Sequence, residues 1–190
     1  MSDIIGKSGT SNLIPKHGGY RKLKSYQMAE IVYDATVKFC NRFIDKRSRT
    51  HDQMVQAARS GKQNIAEGSM ASGTSKKTEL KLIGVARASL EELLQDFEDF
   101  LRQNELSLWD INDSRVLEIR KIGGNEDRSY KSYRTYVEEK KNETAANTII
   151  CLIHQTNYLL DQQLRKLETD FLNEGGFTER LYRFRKNKKG

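Results

Sequence analysis

Four long stretches of this chain repeat apolar residues every three or four positions, and its single proline, Pro15, lies outside all of them. That spacing puts each apolar set on one face of an α-helix. The clearest stretch is Thr50–Gly68, where Met54, Ala57, Ala58, Gly61 and Ile65 form the stripe. Thr50 and Gln53 have the spacing of a capping box, and Gly68 stands where a left-handed residue would end the helix. The stripe is small, so a neighbouring helix can approach closely.

The other three stretches follow the same logic. The first helix is expected from about Lys22 to Asp45, on Tyr26, Ala29, Tyr33, Thr36 or Val37, Cys40 and Phe43. Ile31, Val32 and Phe39 lie off that stripe, which suits an oligomer or a wide face within one chain. The third helix is capped by Thr74 or Ser75 and runs to about Gln103, on Leu80, Ile83, Leu90, Phe97 and Leu101. The fourth starts at Asn142 and ends before Gly175, on Ala146, Ile149, Ile150, Ile153, Thr156, Leu164, Leu167 and Phe171. Four such helices close a core most simply as an all-α, antiparallel up-down four-helix bundle.

The segments divide accordingly: 1–19 a mobile arm, 20–174 the bundle, 104–141 an insertion before the last helix, 175–190 a basic tail. Within the insertion, Leu106, Leu108 and Trp109 are expected to pack on the bundle end. Asp113–Lys121 reads as a short helix stopped by Gly123 and Gly124, and Tyr130, Tyr133 and Tyr136 read as a packing row.

The net charge is +7, which argues for anionic partners and says nothing of fold. Charge is strongly segregated. Glu91–Glu118 holds nine acids against Arg102 and Arg115, whereas Phe177–Gly190 holds six bases against Glu179. Arg59, Lys62, Lys76, Lys77 and Lys81 flank the connection between the second and third helices and could meet there, as phosphate contacts or as solvated lysines. In the tail, Arg180, Arg183, Arg185 and Lys186 alternate with Tyr182 and Phe184, a pattern in which aromatics stack on bases and cations hold the backbone. The competing reading docks Phe177, Leu181 and Tyr182 on the bundle.

Catalytic and metal readings fare worse. Cys40 and Cys151 are too few for a disulfide framework or a zinc site and read as core thiols. Cys151 and His154 sit three apart within an apolar stripe, so packing outweighs a nucleophilic pair. Glu91, Glu92, Asp96 and Asp99 lack the Glu-x-x-His pairs of a di-metal bundle, so they read as a solvated face. No cofactor or metal is expected. The polar start reads as no secretory leader, and the longest apolar run, Ile149–Ile153, is too short to span a bilayer, so a cytoplasmic protein is expected.

Asn64-Ile-Ala-Glu-Gly68, preceded by Gln53–Ser60, resembles the signature of the four-helix-bundle proteins encoded in intervening sequences of bacterial large-subunit ribosomal RNA genes. That family includes the accessory variability determinants of diversity-generating retroelements. Val85–Leu93 resembles its second motif, and the likeness covers roughly 23–103. It implies a homopentamer of four-helix protomers and, for the retroelement members, a basic nucleic-acid-binding surface and a reverse transcriptase partner; no enzymatic activity is established for the family. The family's Arg pair is replaced here by Val55 and Gln56, which moves positive charge to Arg59 and Lys62. Asn64, Glu67 and Gly68, with Arg87 and Ser89 opposite, read as a structural motif; Glu67 as a general acid or base lacks a nucleophile or metal partner. The resulting expectation is a non-enzymatic, oligomeric accessory protein binding RNA or DNA. The alternative is a protein-interaction scaffold for a reverse transcriptase or another acidic partner.

Overall fold

The computed structural model describes residues 17–188, apart from the side chains of Glu174, Arg180, Asn187 and Lys188. Most of the expected 1–19 arm, the Arg180 side chain and the end of the expected tail therefore lie outside the described residues. Every regular element among the described residues is helical. In chain order these are α1 (Lys24–Phe43), α2 (Arg49–Ala71), α3 (Lys76–Gln103), α4 (Ser114–Gly124), α5 (Tyr130–Arg134), α6 (Asn142–Glu174) and α7 (Phe177–Lys188). A 3-10 turn, Tyr20–Lys22, leads into α1, and a π-turn, Thr135–Glu139, continues α5.

Local chemistry explains the boundaries. Ser48, not Thr50, caps α2, its hydroxyl accepting from the Thr50 amide at 3.1 Å. The cap therefore lies two residues before the expected one, and it is a single serine cap rather than the expected capping box of Thr50 and Gln53. Ser75 caps α3 as anticipated, accepting from Thr78 at 3.1 Å. Gly175, with φ 71°, takes the left-handed conformation that ends α6. Gly68 does not end α2, which runs on to Ala71. It faces α3 instead: a Cβ there would lie 3.4 Å from the Glu79 carbonyl, Leu82 and Ile83, at the edge of ordinary contact.

The four long helices pack pairwise in a ring, α1 on α2, α2 on α3, α3 on α6 and α6 on α1. The expected stripes meet inside: Met54, Ala58, Ile65, Ile83, Leu90, Phe97, Leu101, Ile149 and Ile153 are fully buried. Phe39 of α1 sits edge-on to Phe97 and Phe100 of α3, each 4.9 Å away. Ser25 at the start of α1 donates to Gln163 near the end of α6 at 2.7 Å.

Segment 104–141 covers this ring on one side. α4 packs on α6, and the π-turn packs on both α1 and α6. Arg42 of α1 forks to the carbonyls of Val137 and Lys140 and so ties the π-turn down. Consequently Ala145–Ile153 is buried without interruption, a stretch of α6 enclosed on every side. Ile31, Val32 and Phe39 are likewise buried within one chain, so the extra apolar face of α1 is intramolecular. Trp109 packs as expected, whereas Leu108 is 54 % exposed. Tyr133 is fully buried, and Tyr130 and Tyr136 are half-buried with their hydroxyls on Glu138 and Glu118.

Candidate nucleic-acid interface

Basic side chains lie toward one end of the helical ring, on the 3-10 turn, the start of α1 and the start of α3. The 3-10 turn and the start of α1 bring Arg21, Lys22 and Lys24, all exposed. The Gly18 amide bonds the Ser69 carbonyl at 3.0 Å, which holds this segment against the end of α2. Across a tight turn from α2, α3 begins with Lys76, Lys77 and Lys81. α6 ends here too, because Asp170 is close enough to Glu79 to add to the rise in its pKa. α7 then departs from this end with Arg183, Arg185 and Lys186 exposed.

The cations differ in what they touch. Lys76 is committed to Glu79 at 3.1 Å. Burial pushes the Glu79 carboxyl up, and the Lys76 partner opposes that shift. Lys77, Lys81, Arg183, Arg185 and Lys186 make no ion pair with any described residue. Lys62 points the other way, into the groove between α1 and α2, with its ammonium 4.4 Å from the Tyr33 ring centre. Arg59 is exposed beside the Ser60–Ser89 contact. Lys77 lies twelve positions before Ser89, roughly 18 Å away at 1.5 Å per helical residue. The five cations flanking the α2–α3 connection are therefore not one cluster: Lys76, Lys77 and Lys81 stay together, and Arg59 and Lys62 do not join them.

Within α7, Phe177, Leu181 and Phe184 are half-buried on one face, while Tyr182 is 68 % exposed rather than docked. The Glu179 carboxylate accepts from the Gly176 amide at 2.8 Å, which closes the corner between α6 and α7.

The signature residues act as packing devices. Asn64 donates to the Ser60 carbonyl and hydroxyl at 2.9 and 3.2 Å, and Ser60 bonds Ser89 at 2.9 Å. Arg87 meets neither Asn64 nor Glu67; it pairs with Glu91 at 2.6 Å and Asp161 at 3.2 Å, joining α3 to α6. Glu67 is exposed.

Cys40 and Cys151 are buried free thiols. Burial pushes them up to about 12 and about 11, so each is protonated at neutral pH, the form that does not attack. His154 is exposed on the same α6 face as Cys151. Burial and then Glu92 and Asp99 raise Asp96. Among the described residues, no group of three or more His, Cys, Asp or Glu side chains could hold a metal. No described helix is long and apolar enough to cross a membrane. Sequence reading did not place Arg21, Lys22 and Lys24 in the site; their cationic run at the arm's end was the available signal. No family model, curated protein or solved structure matches the chain.

Proposed function

We propose that this chain is a non-enzymatic, oligomeric accessory protein that binds RNA or DNA through its basic end. The observation that carries this reading is that exposed Lys77 and Lys81 make no ion pair with a described residue, at the end of the ring where exposed Arg21 and Lys22 lead into α1. Such a surface contacts phosphates and gives affinity without reading sequence. Exposed Tyr182 among Arg183 and Arg185 adds a stacking platform. The architecture proposed with it is an antiparallel up-down four-helix bundle of α1, α2, α3 and α6, with 104–141 inserted before the last helix. The ring of helix contacts and the Ser25–Gln163 bond support it. The signature resemblance extends the proposal to a cytoplasmic homopentamer with a reverse transcriptase partner.

The test is a salt titration of oligonucleotide binding on protein whose mass is measured by light scattering. Affinity is expected to fall at least tenfold between 50 and 200 mM salt, on the order expected for several phosphate contacts. Lys77→Glu with Lys81→Glu, and removal of 177–190, should each weaken it strongly. Salt-independent binding, or binding indifferent to both changes, refutes the reading.

A second reading is a protein-interaction scaffold. It is favoured by Leu108, Ile111 and Leu117, which are 54 %, 60 % and 53 % exposed around the start of α4. A scaffold keeps its partner in a nuclease-treated pull-down, whereas a nucleic-acid tether loses it.

A further inference from the structure

A cavity of about 480 Å³ lies between the start of α1, the end of α4 and the middle of α6. Its wall holds Lys24, Arg120 and Arg128 and no carboxylate. None of the three forms an ion pair with a described residue. Three cations sharing one hollow repel each other, and an anion between them relieves that repulsion.

The hydrogen-bonding pattern is more specific than the charge. Arg128 donates through Nη1 to the Asn125 carbonyl at 2.8 Å and through Nη2 to Gln27 at 3.5 Å, which leaves Nε buried without an acceptor. Gln155 Nε2, on α6, is also buried without an acceptor. Both residues line this cavity. Buried donors need acceptors, and an oxyanion presents several oxygens at once to a guanidinium and an amide. The Gln155 amide lies close over Gly123: a Cβ there would lie 1.9 Å from its oxygen, the free end of a side chain. The remaining wall holds Met28, Leu159, His154 and Tyr158, the last 64 % exposed. A flat ring can rest there.

We infer that this cavity is a binding site for a phosphate ester carrying a flat ring, the chemistry of a nucleoside monophosphate, either free or at the 5′ end of a strand. The phosphate sits among Arg128, Gln155, Arg120 and Lys24, and the ring lies along Tyr158. The site is separate from the phosphate contacts of Lys77 and Lys81 and does not depend on them.

The experiment titrates the full chain with adenosine monophosphate, adenosine and inorganic phosphate, read by calorimetry and by NMR shifts of the Gly123, Gly124 and Gln155 amides. Adenosine monophosphate is expected to bind at least tenfold more tightly than adenosine and to shift those amides. Arg128→Gln should lower its affinity at least tenfold. Tyr158→Ala, a change at an exposed side chain that leaves the core intact, should weaken adenosine monophosphate and leave inorganic phosphate unaffected. Lys77→Glu with Lys81→Glu should leave adenosine monophosphate binding in place. A 5′-phosphorylated oligonucleotide that displaces the mononucleotide, where its 5′-hydroxyl counterpart does not, assigns the site to strand ends; displacement by neither assigns it to a free nucleotide. Equal binding of adenosine and its monophosphate, or affinity unchanged in either Arg128→Gln or Tyr158→Ala, overturns the inference.

Discussion

Gly61 of α2 lies directly against Leu90 of α3, so close that a Cβ at position 61 would stand 2.8 Å from the leucine Cγ and Cδ2. A mid-helix glycine ordinarily costs about 1 kcal/mol relative to alanine. Here the contact it permits outweighs that cost. Gly61→Ala gains helix propensity but overpacks the core, where added volume costs about 1–3 kcal/mol. The expected net result is a loss of up to about 2 kcal/mol, seen as a lower urea midpoint with unchanged slope. A raised midpoint would show that Leu90 yields freely.

Asn147 joins segment 104–141 to α6. It is buried, accepts from the Trp109 amide at 2.8 Å and donates to the Ser107 and Glu143 carbonyls at 2.9 Å. Asn147→Ala leaves two loop groups unpaired and should cost about 2–3 kcal/mol. Trp109 is the only tryptophan, so its emission should shift to the red as the loop loosens. Unchanged emission and stability would mean that water replaces the amide.

The thiols set an alkaline limit. Burial raises Cys40 and Cys151 from 9.0 to about 12 and about 11, Asp96 adding to the first and Arg120 opposing the second. The folded state therefore holds these protons more tightly than the unfolded chain. Their contribution is full below pH 9 and is lost as pH rises towards 11 and 12. Each thiol adds a slope of up to about 1.4 kcal/mol per pH unit. Urea unfolding at pH 8, 9 and 10 should show the decline beginning near 9, with a shallower slope in Cys151→Ala.

Glu79 behaves as a buried acid with one partner. Burial raises its carboxyl above 4.5 despite Lys76, so its contribution is present below that value and falls as pH climbs through the folded value. Glu79→Gln should be more stable than the parent at pH 7, by roughly 1 kcal/mol, and equal to it below pH 4.5. Because Lys76 is already engaged, Lys76→Ala should weaken oligonucleotide binding less than Lys77→Ala does. The reverse order would place phosphate on Lys76.

Spacing alone identified most of the interior. Met54, Ala57, Ala58 and Ile65 on α2, and Ile83, Leu90, Phe97 and Leu101 on α3, are buried where their three-four repeat put them. Glycines were harder to interpret. Gly68 has the same sequence appearance as a terminator, and only α3 lying against it shows that it is a packing position. The same holds for charge. Lys62 and Lys77 read alike in sequence, yet one rests on Tyr33 and the other is exposed with no ion pair to a described residue.

The helices, their inward faces and the segregation of charge were therefore written in the chain itself, because i, i+3 and i+4 neighbours share a helical face whatever else surrounds them. Which cations converge was not. The starts of α1 and α3 come to one end of the ring, and Lys24, Arg120 and Arg128 line one cavity, through helices that meet only once the chain has folded. Side-chain direction across a helix pair depends on the rotation of each helix about its axis, and long-range packing, not local spacing, sets that rotation.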